Sequence, residues 1–113
     1  MIETLQDKSR RIHKRLAVAT NVFSTRNGLP FGRIFGISQR EFILSCTAPL
    51  EAGETLELTV EIPELDGRRL IELSAMCIWC QASENTTDFE AGFHIVNISD
   101  QNQVALNYFI RDF

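Results

Sequence analysis

The sequence predicts an all-β fold, a six-stranded antiparallel β-barrel with a C-terminal α-helix packed against it. Three observations predict it. Between residues 16 and 96, apolar side chains recur with a period of two in runs of seven to eleven residues. Stretches rich in Gly, Pro, Asn and Asp separate those runs, and only after Ser99 does the period become helical. Six strands with one apolar face each leave two adhesive edges unless the sheet closes on itself, and closure makes a small barrel.

The first run, LAVATNVFS (16–24), ends at Asn27-Gly28, a tight-turn signal. LPFGRIFGIS (29–38) comes next, with Gly32 and Gly36 predicting a bend or bulge. EFILSCT (41–47) is a short strand running into the turn APLEAGE. TLELTVEI (55–62) is the clearest element: Leu56, Leu58, Val60 and Ile62 point one way and Thr55, Glu57, Thr59 and Glu61 the other. PELDGRR turns the chain at Asp66-Gly67 into LIELSAMCIWC (70–80), where strict alternation puts Ile71, Leu73, Ala75, Cys77 and Trp79 on one face. FEAGFHIV (89–96) does the same with Phe89, Ala91, Phe93 and Ile95, leaving His94 on the surface. Ser99 reads as a helix N-cap with Asp100 in the first turn. Leu106, Phe109, Ile110 and Phe113 form the apolar stripe, widened by Val104, Ala105 and Tyr108, and so broad a stripe hints at self-association.

At 113 residues, 44% apolar and 23% charged, the chain makes one soluble domain with its own core. Residues 16–113 form that domain, and residues 1–15, polar and weakly periodic, form a flexible lead-in. No apolar run approaches the roughly 20 residues of a membrane span, and MIETLQDKSRR lacks the core of a signal peptide, so the reading is cytoplasmic. The net charge of −4 conceals an asymmetry: residues 1–49 carry 8 basic and 3 acidic side chains, residues 50–113 carry 3 and 12. An acidic body repels nucleic acid and anionic membrane but tolerates one local site for a compact anion.

The chemistry-bearing residues are few. Cys77-Ile-Trp-Cys80 has the form of a zinc or redox string, yet residues three apart in a regular strand face opposite ways and the sulfurs diverge. His13 and His94, the two histidines, adjoin no nucleophile in a recognisable arrangement, and no Gly-rich phosphate loop leads into a helix. Nothing reads as an enzyme, a metal site or a cofactor site. The most distinctive feature is a cationic cluster, Lys8, Arg10, Arg11, Lys14 and Arg15. Arg11 and Arg15 are spaced R-x-x-x-R, so both can reach one ligand. An arginine fork grips a phosphate or the O6/N7 edge of guanine bidentately.

Together, R-x-x-x-R before the first strand, GRIFGISQREFIL, the G-x-x-L-x-L-x-V-x-I run, CIW and FEAGFHI resemble the PilZ domain of bacterial cyclic di-GMP signalling over about residues 10–113. The resemblance implies a six-stranded barrel with helical additions and a non-enzymatic receptor or adaptor role. Its ligand motif is R-x-x-x-R with [D/N]-x-S-x-x-G. Arg11 and Arg15 match the arginines and Ser38 the serine, whereas Gly36 replaces the Asp or Asn and Glu41 the last glycine. Gly36 supplies no acceptor for guanine and Glu41 adds a negative charge, each costing roughly 1–3 kcal/mol of affinity. Cyclic di-GMP is therefore the candidate ligand, at weakened affinity, with Arg33 and Arg40 available to offset part of the loss.

Three functions are expected from these readings. The first is a regulatory module that docks to a partner protein and responds to the dinucleotide. The second is a nucleotide-independent adaptor, of the kind the family uses in pilus, motility or biofilm systems. The third is nucleic-acid binding by the basic arm, which the acidic body and the buried pattern of the phenylalanines disfavour.

Overall fold

The computed structural model describes residues 14–64, 66–84 and 86–112, with side chains from Thr20 onward. Six strands, β1 (Lys14–Ser24), β2 (Pro30–Ile37), β3 (Glu41–Cys46), β4 (Thr55–Glu64), β5 (Gly67–Ala82) and β6 (Phe89–Ile98), precede one helix, α1 (Asp100–Asp112). They close into an antiparallel barrel in the order β1-β2-β3-β6-β5-β4. β1 begins at Lys14, so Arg15 belongs to the sheet rather than to the lead-in. The expected flexibility of the lead-in otherwise concerns residues 1–13, outside the described residues.

The turn chemistry operates as the residue types require. Gly28 takes φ 72°, in the left-handed region, and the Leu29 N–H donates to Asn27 Oδ1 at 3.0 Å, so Asn-Gly reverses the chain between β1 and β2. Glycines mark irregularities, as expected. The β1–β2 register shifts beside Gly32 and the β2–β3 register shifts between Ile34 and Gly36. A Cβ at Gly32 would collide with the Ser45 carbonyl, so only glycine lets β2 and β3 approach so closely there.

Alternation places the core inside the barrel. Leu58, Val60 and Ile62 of β4 meet Ile71, Leu73, Ala75 and Cys77 of β5, all 5% exposed or less. On the neighbouring strands β3 and β6, the paired Phe42 and Phe93 stack inside the barrel, ring centroids 5.3 Å apart and planes 11° apart. Leu106 and Phe109 of α1 join this core, so the helix covers apolar surface the strands leave open. Its start uses the expected cap: Ser99 Oγ accepts the Asn102 N–H at 3.1 Å. Val104 and Tyr108 of the broad stripe stay exposed, and Phe113 lies outside the described residues.

One expectation about β5 fails. Regular alternation assigns Trp79 to the inner face with Cys77 and sends the two sulfurs apart. Instead the β5–β6 register slips between Cys77, opposite Phe93, and Trp79, opposite Gly92. The extra residue flips the remainder of β5. Trp79 lies over Gly92, and Cys80 packs against the same core that contains Cys77.

Candidate functional site

Of the residues picked out in the sequence, Gly36, Ser38 and Glu41 lie around the β2–β3 turn, with Arg15 opposite Gly36 on β1. Ser38 closes the β2–β3 turn: its N–H donates to the Glu41 carbonyl at 2.8 Å, its hydroxyl donates to that oxygen at 3.2 Å, and it accepts the Glu41 N–H at 3.2 Å. Ser38 and Glu41 are thus locked to one another. The turn is tied down further by the Ile95 N–H donating to the Arg40 carbonyl at 2.7 Å and by Gln103 Nε2 of α1 donating to the Gln39 carbonyl at 3.3 Å.

Two residues back from Ser38, Gly36 belongs to a cross-strand row that the register defines. Arg15 of β1 stands opposite Gly36, Gly36 opposite Ile43 of β3, Ile43 opposite Gly92 of β6, and Gly92 opposite Trp79 of β5. Phe42 and Leu44 point into the core cluster, whereas Ile43 lies outside it, so Gly36, Ile43, Gly92 and Trp79 occupy the outer face. Two glycines make the floor low, and the indole lies across the second; a Cβ at Gly92 would collide with it. The result is a shallow trough that its own side chains fill: Gly36, Ile43 and Gly92 are all buried, with the Trp79 indole at one end and the register position of Arg15 at the other. Glu41, Phe42, Ile43, Ile78, Trp79, Gly92 and Phe93 surround a crevice there that has no room for a water molecule.

The structure thus brings Arg15, Gly36, Ser38 and Glu41 together at the level of backbone position. Arg11 and the Arg15 side chain lie outside the described residues. Arg33 is not brought to the turn. It pairs with Asn21 and Ser45 and lines a roomier groove, about 450 Å³, at the other end of β2. That groove also holds Asp88, so its charges do not select an anion. Ile43, Trp79 and Gly92 were missed as trough residues by sequence reasoning. The available signal was a glycine in the middle of a strand facing an unbroken apolar Cys-Ile-Trp-Cys run.

A family model described as the PilZ domain matches residues 9–112. The chain belongs to the PilZ family. PilZ domains are regulatory receptors and adaptors of cyclic di-GMP signalling, and the barrel with its terminal helix is their fold. Among solved structures, the inhibitor of motility MotI/DgrA of Bacillus subtilis superposes with a TM-score of 0.74 at 22% identity, over 90% of this chain and 50% of that one. The PilZ domain of YcgR from Escherichia coli, solved with c-di-GMP, gives 0.59 at 13%, over 90% and 89%. MrkH of K. pneumonia in its apo state gives 0.66 at 14%, over 90% and 49%. This PilZ chain therefore spans about half the length of MotI/DgrA and of MrkH. No curated protein matches it in sequence.

Two of the three thiols of this PilZ domain, Cys46 and Cys77, are buried and chemically quiet. Burial, and then the neighbouring Cys80, pushes Cys46 and Cys77 up to about 11, so both stay protonated near neutrality. Among the described residues no three His, Cys, Asp or Glu side chains converge to hold a metal, and no helix is long and apolar enough to cross a membrane.

Proposed function

We propose that this PilZ domain is a regulatory module that takes up cyclic di-GMP on the outer trough and passes the event on by docking to a partner protein. The observation that carries the reading is the register: Arg15 stands opposite Gly36, at the head of the row that ends at Trp79, two residues from the Ser38 turn. Arg11 and Arg15 supply the forks for phosphate and guanine. Trp79, at the far end of the row, offers a base an aromatic edge on the same face of the barrel. Ligand binding through Arg11 and Arg15 alters the surface that a partner reads, as a shifted equilibrium.

Calorimetric titration with cyclic di-GMP tests this. Saturable binding is expected, weakened tenfold or more in Arg11→Ala and Arg15→Ala, about 1.4 kcal/mol or above. Absence of heat at high dinucleotide concentration removes the ligand-responsive reading.

A specific observation favours a second reading, the nucleotide-independent adaptor. Ser38 already exchanges both hydroxyl hydrogen bonds with Glu41, and Gly36 presents no acceptor to a base. In that case a partner copurifies equally well with both arginines replaced.

A further inference from the structure

We infer that the groove between α1 and the β2–β3 turn is the seat of this chain's own apolar and acidic head, residues 1–7, which docks there and covers the exposed face of α1. Cyclic di-GMP plays no part in this: the groove lies on the helix side of the Ser38 turn, where Gln103 meets Gln39. A partner protein reaches that face of α1 only by displacing the head.

The groove holds about 380 Å³ and is lined by Gln39 of the turn and by Asn107, Tyr108, Ile110 and Arg111 of α1. That volume falls among clefts able to take a ligand, roughly 300–1,000 Å³. Gln103 ties the two walls together: its Nε2 donates to the Gln39 carbonyl at 3.3 Å and to Asn107 Oδ1 at 3.0 Å. Its Oε1 is buried and accepts from no described group, which leaves a hydrogen bond unmade beside the groove. Tyr108 is 54% exposed and Val104, one turn before it, 53%. The Arg111 guanidinium stands over the Tyr108 ring, 4.6 Å from its centroid, and its ion pair with Asp112 is exposed on both sides and therefore weak. Arg40, next to Gln39 in the turn, makes no ion pair among the described residues.

Three observations select the head as the occupant. The first is direction. Lys14 pairs antiparallel with Ile37 and Arg15 with Gly36, so β1 followed backwards points toward Ser38 and Gln39, the rim of the groove. Gln39 is two residues past Ile37, about 7 Å at the rise of a strand, and residues 8–13 can bridge up to about 20 Å. The second is composition. MIETLQD carries Met1, Ile2 and Leu5 among polar residues, and burying them against Tyr108 and Ile110 removes apolar surface from water on both sides. The third is charge. Glu3 and Asp7 make the head acidic, and Arg111 lines the groove with Arg40 beside its rim. The stretch that follows, with Lys8, Arg10, Arg11, Lys14 and Arg15, is cationic and is repelled by those same arginines. Thr4 and Gln6 of the head bring donors that suit the unmet Gln103 Oε1.

The test compares amide NMR spectra of the intact, isotope-labelled chain with those of its Ile2→Ser/Leu5→Ser variant, each at a low and a roughly twentyfold higher protein concentration. Both substituted positions precede β1, so the barrel folds in either chain. The variant is expected to shift the amides of Gln39, Arg40 and residues 107–111 at both concentrations, and to speed solvent exchange at 107–111 roughly three- to tenfold. Arg111→Glu with the head intact should give the same shifts, and adding Glu3→Lys and Asp7→Lys to it should reverse them in part, a rescue that a merely structural role of Arg111 does not produce. Shifts confined to the surroundings of residues 2 and 5 overturn the docking. Shifts at the groove that fade on dilution overturn it as well and give the groove to the head of a second copy. Cyclic di-GMP is absent throughout, so either failure leaves the dinucleotide reading to its own titration.

Discussion

β4 and β5 pair from Thr55–Met76 to Glu64–Gly67 without one register shift, while β1 and β2 shift between Arg15 and Thr20 and again between Val22 and Phe23. The contrast extends round the barrel. Irregularities fall beside Arg15, beside Gly36 and beside Trp79, three members of the outer row, and also at Val22/Phe23 and Ser74/Ala75 away from it. The regular ladder is built as a wall: inward side chains alternate faithfully and fill the core. The irregular strands are built to re-aim residues, since each bulge turns the remainder of its strand onto the other face. The packed interior and the outer row are thus built from different faces of partly shared strands, and substitutions should separate them.

The largest effect is expected inside. Phe93 is fully buried, stacked on Phe42 and touched edge-on by Phe31 at 6.4 Å. Phe93→Ala removes that packing from a strand shared by both regions and should cost about 3–5 kcal/mol, read as a lowered urea midpoint at unchanged slope. A loss under about 1 kcal/mol would mean that the interior is not the source of stability.

One residue away the same strand serves the trough. Gly92→Ala sets a methyl against the Trp79 indole and should cost about 1–3 kcal/mol through overpacking. The chain has one tryptophan, so displacement of the ring is visible as a change in intrinsic fluorescence. Phe93→Ala, measured where it is still folded, should leave that emission closer to the original. If Gly92→Ala leaves fluorescence and stability untouched, the indole does not rest on the glycine and the trough loses its wall.

The same division explains which features were legible in the sequence. Strict alternation in 55–62 became an unshifted ladder, and Ser99 caps the helix, because both signals are local. Trp79 was misassigned because a bulge changes the face without changing the residue types, and alternation presumes none. The trough was hidden for a different reason: positions 36, 43, 79 and 92 become neighbours only through cross-strand register. The pairing of Glu41 on β3 with His94 on β6 was invisible on the same ground. Arg11, Arg15 and Ser38 were picked out because a linear motif names them, although the motif is silent about the hydrogen bonds Ser38 exchanges with Glu41.

The smallest expected difference, and the most discriminating, lies between two serines at the barrel surface. Ser74 of the regular ladder donates to Glu57 Oε2 at 2.6 Å in an exposed position, so Ser74→Ala should change stability by no more than about 0.5 kcal/mol. Ser38 binds both the carbonyl and the N–H of Glu41 in a part-buried turn, so Ser38→Ala should cost about 0.5–1.5 kcal/mol in urea unfolding. The Ser38 N–H still donates to the Glu41 carbonyl in that variant, which keeps the turn closed. Equal, negligible costs at both sites would remove Ser38 from the turn's support and return it to ligand contact alone. A measurable cost at Ser38 only would assign it to the scaffold that holds Glu41 opposite His94, with any ligand contact made by the acceptor capacity its hydroxyl retains.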